Sequence, residues 1–407
     1  MPLPFRAINA LGRLIARRGT PPIDLTPETI IAQAQRETGL TDFGSDDFRQ
    51  PLNKLVNAYE TEANLTLLGR IASQNFLQGI LVNRLYLHRY FSHNPTILTQ
   101  PITRPLFIIG LPRTGTTLLQ RLLAQDPQAR HLRTWELYNM KNPPHPQHYT
   151  TDPRINIIRR QLQIFNMIAP DMQIKHPVGA EFPEECITLL RHTLTSPLMF
   201  NTMANIPSYI HWLDQQDMVP VYQYFKAQLQ FLNHHFDTTH WILKSPAHLL
   251  NPDALLTVFP DASIIQTHRH PQKVLPSWCS LIGTMRGSQS NQVDAHALGQ
   301  EWLTRWATMT NKTVTYRQQN QQQNQAFLDI YFQDMMNDPI STVRHIYHHF
   351  GYNYTPEFEQ RMQQWLTTNP RHKHGKHHYT MAEFNLTPDQ INHHFAPYLQ
   401  QHPSLTI

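Results

Sequence analysis

Strand-length apolar runs alternate with helix-spaced apolar positions along most of this chain. Leu106, Phe107, Ile108 and Ile109 predict a strand, and Leu118, Leu119, Leu122 and Leu123 recur at helical spacing just after it. The same reading predicts further strands at 240–243, 263–267 and 327–331, and helices at 117–125, 152–168, 181–194, 272–284, 300–318 and 339–350. Such alternation implies an α/β fold, a parallel sheet with helices on both faces. Residues 26–95 differ: they carry helical periodicity, with Thr26 as an N-cap, Pro27 at the first helical position and a long apolar-periodic stretch from Leu65 to Leu87. Pro95, Pro101 and Pro105 then break helicity and deliver the chain extended into the first strand. The expected division is a helical N-terminal region over 1–100, an α/β domain over 101–370 and a C-terminal segment over 371–407.

The turn between the first strand and its helix reads Gly110-Leu111-Pro112-Arg113-Thr114-Gly115-Thr116-Thr117. A loop of this kind aims free backbone N–H groups at one point at a helix start, where the dipole adds partial positive charge and a phosphate-like oxyanion can sit. Gly110 and Gly115 have the spacing of G-x-x-x-x-G-K-[ST], but Thr116 stands where that pattern has Lys. A nucleoside triphosphate needs that Lys and a Mg²⁺, and here the nearest cation is Arg113, inside the loop. A P-loop small-molecule kinase is therefore the runner-up reading. Ligands of parallel sheets bind at the carboxyl ends of the strands, which is where Arg113, Lys244 and Arg269 fall.

Composition narrows the partners. With Lys+Arg at 34 against Asp+Glu at 29, the formal charge of +5 suits anionic ligands, yet no basic block tracks a nucleic-acid backbone. Two cysteines, Cys186 and Cys279, provide no disulfide framework and favour a reducing, cytoplasmic setting. No run of about 18 apolar residues predicts a membrane span. Over 5–18, Phe5, Ile8, Leu11 and Ile15 share one side of a helix while Arg6, Arg13 and Arg17 lie mostly off it. This basic amphipathic helix either docks on the protein's own surface or lies on an anionic leaflet. The His-rich tail 371–379 lacks the Cys or carboxylate that completes a usual metal site, so no metal is expected there.

Taken with Trp241-Ile242-Leu243-Lys244-Ser245-Pro246 and Thr267-His268-Arg269-His270-Pro271, the loop resembles that of the P-loop-fold sulfotransferases that use 3′-phosphoadenosine-5′-phosphosulfate (PAPS), in their bacterial branch with a G-L-P-R-[ST]-G-T-T loop. The resemblance covers most of residues 30–400. It implies sulfuryl transfer from PAPS to a hydroxyl of a small-molecule, lipid or glycan acceptor, without metal. It further implies that Arg113, Thr114, Gly115, Thr116 and Thr117 hold the 5′-phosphosulfate, and that Arg269 and Ser277, eight positions apart (277 − 269), hold the 3′-phosphate. Lys376 and Tyr379 match a segment that closes over the nucleotide. Lys244 matches a Lys facing the sulfuryl group.

The base that takes the acceptor's proton has several candidates. Glu136, 23 residues after Arg113 (136 − 113), falls where tyrosine-directed sulfotransferases place a catalytic Glu and is the first choice. Glu184 and Glu185 compete, either as base or acceptor ligands or merely as helix-dipole acids after Pro183. His176 is a minor candidate. Acceptor specificity is expected from the aromatic-rich segment 130–235, including Tyr138, Phe165, Met167, Phe182, Phe200, Tyr209, Trp212 and Tyr222. A non-catalytic nucleotide-binding protein at a membrane is the remaining alternative.

Overall fold

A computed structural model of the chain describes residues 8–10, 12, 23–370 and 379–405. The amphipathic start expected over 5–18 lies, but for four positions, outside the described residues, as does Lys376. At the centre is a five-stranded sheet of β1 (Leu106–Gly110), β2 (Ala129–His131), β3 (His240–Lys244), β4 (Ser263–His268) and β5 (Phe327–Tyr331), in the order β2-β3-β1-β4-β5. Every neighbouring pair is parallel. β1, β3 and β4 are buried at every residue, as strands covered on both faces must be.

Alternation along β1 divides the core. Phe107 and Ile109 face a large cluster with the helices Val219–Asn233, Pro271–Gln289 and Ala295–Gln319. Leu106 and Ile108 face the other layer, with Leu119, Leu122, Val343 and Met362. The helices Pro27–Thr38, Arg49–Thr61 and Leu67–His93 precede β1, and Thr26 caps the first of them by accepting from Thr29 N at 3.3 Å. Their apolar faces share a core with Leu194, Phe200, Tyr209 and Leu213, so this helical unit takes in residues far down the chain.

Two local expectations need correction. β2 was not foreseen, because a three-residue edge strand carrying Arg130 and His131 has no apolar run. The helix expected over 181–194 shrinks to Ile187–Leu190 and a 3₁₀ turn, Arg191–Thr193. Pro183 instead bridges Arg133, Glu184 N donates to Leu132 O at 2.9 Å, and Cys186 N donates to Lys244 O at 2.9 Å. The backbone groups that would close a first helical turn are spent on the sheet edge, so Glu184 and Glu185 lie in extended chain and do not serve a helix dipole.

Candidate active site

The loop after β1 is shaped by positions where no side chain fits. A Cβ on Gly110 would lie 2.4 Å from Thr267 Oγ1, and one on Gly115 would lie 2.0 Å from Met335 Cε. Both glycines have positive φ, 135° and 84°, as does Arg113 at 64°. A left-handed non-glycine costs about 1–3 kcal/mol, so it persists only where neighbours hold it. Arg269 Nη1 does so by donating to the Arg113 carbonyl at 2.8 Å. Thr114 anchors the loop from below, donating to Leu111 O at 2.6 Å and sharing a 2.6 Å hydrogen bond with Thr267 Oγ1. Its hydroxyl is thus engaged within the loop, which leaves its backbone as the part of Thr114 available to a donor.

The helix that follows, Thr116–Leu123, has Gly115 at its cap and no side chain capping its first N–H groups. This leaves an oxyanion cradle of backbone N–H groups at the carboxyl end of β1. Two cations flank it. Arg113 donates from Nε to Ser277 Oγ at 3.1 Å and from Nη1 to Lys175 O at 3.0 Å. Arg269 lies over the Phe332 ring, 4.1 Å from its centroid. Phe332, absent from the sequence reading, opens the helix Phe332–Asn337 directly after β5; its place at the end of a core strand was the available signal.

Lys244 ends β3 and is almost wholly buried, its ammonium ion-paired with Glu185. Glu184 accepts from Thr134 Oγ1 at 3.3 Å and from Glu185 N at 2.8 Å, and burial pushes its carboxyl above the usual range. His176 follows the short helix Met172–Lys175, and burial, opposed by the nearby Glu185, brings it down to about 4. Its imidazole is therefore neutral at pH 7.

His176, Glu184 and Glu185 line one cavity of about 600 Å³, and Lys244 stands behind Glu185, outside the lining. Arg113, Gly115, Thr116, Thr117, Arg269, Ser277 and Tyr379 line it on the side of the cradle, His176, Glu184 and Glu185 add polar groups, and Phe76, Tyr138, Leu162, Phe165, Met199 and Met285 are among its apolar lining. Glu136 is elsewhere. It is wholly buried, its carboxylate taken by Arg130 Nη2 at 2.7 Å and by Arg133 N at 3.0 Å, as the third residue of the helix Thr134–Tyr138. With both oxygens bonded, and outside the lining that Thr134 and Tyr138 of the same helix join, it is a structural partner of Arg130, and the first-choice base is corrected. Of the aromatic candidates, Tyr138 and Phe165 reach the cavity. Phe200 and Tyr209 belong to the helical unit, with Trp212 packed against it, and Tyr222 is in the main core, while Met167 and Phe182 are exposed on the outside.

Behind Arg269, His268, Asp329 and His402 place a ligand atom each within 4.8 Å of one another. Arg317 already holds both Asp329 oxygens, at 2.6 and 3.0 Å, and His268 Nε2 lies 2.8 Å from Oδ1. Burial would raise the Asp329 carboxyl, but these bonds outweigh it and hold it well below the usual range. A cation here would have to displace a bidentate guanidinium. The cluster serves as the packed footing of the β4 end from which Arg269 emerges.

Residues 105–356 match the sequence profile described as the sulfotransferase family. The chain belongs to that family. A relative among characterised proteins, the omega-hydroxy-beta-dihydromenaquinone-9 sulfotransferase Stf3 of Mycobacterium bovis, is 25% identical over 301 residues, covering 71% of this chain and 72% of the relative. Sulfotransferase STF1 of Mycobacterium tuberculosis superposes with a TM-score of 0.81 at 32% identity, over 91% of this chain and 98% of that one. Sulfotransferase STF9 of Mycobacterium avium superposes with a TM-score of 0.87 at 28% identity, over 95% and 98%. This sulfotransferase moves a sulfuryl group from PAPS to a hydroxyl acceptor, giving a sulfate ester and adenosine 3′,5′-bisphosphate. The oxyanion cradle with its two cations fits an anionic donor of that kind.

Proposed function

We propose that the acceptor of this sulfotransferase is an amphiphilic alcohol or phenol with a long apolar body, and that the enzyme belongs to the bacterial branch with the G-L-P-R-[ST]-G-T-T loop. The observation that carries this is a single cavity joining the cradle to an apolar chamber. Such a chamber gains by burying hydrocarbon and offers a sugar few hydrogen-bond partners. The relative that acts on omega-hydroxy-beta-dihydromenaquinone-9, a hydroxylated menaquinone derivative, points the same way.

Bound PAPS supplies an activated sulfuryl group on a phosphate leaving group. In this proposal the N–H groups of residues 115–117, with the Thr116 and Thr117 hydroxyls, hold the 5′-phosphosulfate. Arg269 and Ser277 hold the 3′-phosphate, and Phe332 and Tyr379 frame the nucleoside. Lys376, outside the described residues, is assigned to the same closure on the family resemblance. Arg113 and Lys244 balance the negative charge of the transferring group and leaving oxygen, the task Mg²⁺ performs for phosphates. As Lys244 turns to the donor, Glu185 is released from its ion pair and takes the acceptor's hydroxyl proton as the S–O bond forms. Glu184 and the neutral His176 position that hydroxyl.

The test is bisphosphate release with PAPS and a series of primary alcohols of increasing length, against glucose. Up to about fourfold in kcat/KM is expected for each methylene the chamber buries. A flat series, or a preference for glucose, would sink the amphiphile reading.

A further inference from the structure

Among the described residues, the large apolar side chains left exposed are not scattered. Apart from Ile8 and Leu98, they fall between 138 and 182: Tyr138, Ile157, Ile164, Met167, Ile174 and Phe182, each 41–55% exposed. At the centre of this stretch is the helix Pro153–Ile168, which has two apolar faces. Ile158, Leu162 and Phe165 turn inward and line the acceptor cavity. Ile157 and Ile164, seven positions and so about two turns apart, share the outer face with Met167 three positions on, and none of these three lines the cavity. A surface helix needs only one apolar stripe to dock on its own protein. The second stripe has no use in the isolated chain.

We propose that this outer face seats on an anionic phospholipid surface, placing the acceptor chamber one helix thickness from the bilayer. Charge selects the occupant. Over residues 152–181, Arg154, Arg159, Arg160 and Lys175 stand against Asp152, Asp171 and Glu181, a local charge of +1 (4 − 3), and Lys175 Nζ turns to Ser280 and Thr284 and away from this face. Arg160 is exposed in line with Ile157 and Ile164, and Arg159 is exposed beside it. Asp152 engages Arg154 at 2.7 Å, and Glu181 pairs Arg159 from the next segment, so part of this charge is balanced locally. Basic residues among exposed aliphatic ones suit acyl chains below acidic headgroups. A second copy of the chain fits less well, because a twofold contact over this face would set the exposed Arg159 and Arg160 against their own copies, while Asp152 and Glu181 are already engaged by Arg154 and Arg159. No helix among the described residues is long and apolar enough to cross a membrane, so the contact is interfacial. An amphiphilic acceptor would then pass from the leaflet into the chamber without entering bulk water.

This inference rests on the amphiphilic-acceptor reading, and its test separates the two. Wild type and the triple variant Ile157→Glu, Ile164→Glu, Met167→Glu are floated with vesicles of phosphatidylglycerol or of phosphatidylcholine alone. Expected is flotation of the wild type with the anionic vesicles, and a loss of about tenfold or more in partitioning for the variant. Both proteins should be stabilised equally by adenosine 3′,5′-bisphosphate, which shows that the variant folds. Both should sulfate a water-soluble short-chain alcohol at equal rates, whereas an acceptor carried in vesicles should be turned over more slowly by the variant. Absence of wild-type flotation, or equal flotation of the variant, overturns the proposal. So does a wild-type dimer in light scattering that the variant converts to monomer, since the face would then belong to self-association. Failure of long-chain alcohols as substrates would instead count against the acceptor reading, whatever the vesicles show.

Discussion

The two ends of the active-site cavity are built by opposite means. The donor end is backbone and cation: two glycines where a Cβ would collide, an uncapped helix start, and Arg113 and Arg269 bonded through each other to Ser277 and the loop. Its residues come from strand ends that the sheet's register places side by side. The acceptor end is side-chain volume, gathered from the helices Leu67–His93, Pro153–Ile168, Met199–Met203 and Pro271–Gln289. Fixed geometry suits a donor whose phosphates never change, while a wall of independent helices lets acceptor size vary by substitution. Glu185, Glu184 and His176 on the cavity wall, with Lys244 behind Glu185, are where a change should hurt chemistry most.

The largest contrast is expected from two carboxylates treated alike. Glu185→Gln should lower turnover by about 10²–10⁴-fold, the usual worth of a positioned base, with bisphosphate binding kept. Glu136→Gln should instead cost stability, about 3–5 kcal/mol, because Arg130 would lose its charged partner inside the protein. The folded fraction of that variant should still turn over. Initial rates and denaturant melts on both variants check this, and an inactive but stable Glu136→Gln enzyme would return the base to Glu136.

Next in size is the donor end. Arg269→Ala should weaken adenosine 3′,5′-bisphosphate by about 1.5–3 kcal/mol, the worth of a charged hydrogen bond. It should also relax the Arg113 backbone. Calorimetric titration reads the affinity, and the acceptor KM should hold. The reciprocal change is Phe165→Ala, which should raise KM for long-chain acceptors about tenfold by removing buried apolar area while leaving bisphosphate affinity untouched. If either variant moved both constants, the division between the ends would be wrong.

The same contrast explains what could be read from the sequence. Donor residues sit in contiguous motifs whose chemistry is local: a glycine pair at fixed spacing, a Lys at a strand end, an Arg and Ser eight apart. The structure brings Arg113, Gly115, Arg269 and Ser277 to the wall of one cavity, while Lys244 stands behind Glu185. Acceptor residues such as Leu162 and Met199 are apolar positions on helices and look like core until the packing is known. Glu136 misled for a related reason, since spacing from Arg113 cannot tell whether Arg130 will lie against the carboxylate. The extended segment at Glu184 and Glu185 was hidden because its backbone bonds go to Leu132 and Lys244, distant in sequence.

The smallest effect probes whether the middle of the cavity is dry. Burial raises the Glu184 carboxyl above its usual value, so the folded protein binds that proton more tightly than the unfolded chain does. For a raised pKa, the contribution to stability is complete below the unfolded value, about 4.3, and is lost as pH climbs through the folded value. Glu184→Gln removes this titration. The variant should therefore melt close to wild type in acid and above it at pH 8, the gap opening over the pH units just above the ordinary carboxylate range and then levelling. Melting curves across pH 4–8 give the answer. A gap that stays constant would mean that Glu184 is solvated. Water would then fill the chamber beside the reacting hydroxyl, and the distinction between a polar donor end and an apolar acceptor end would stop short of the residues that carry the chemistry.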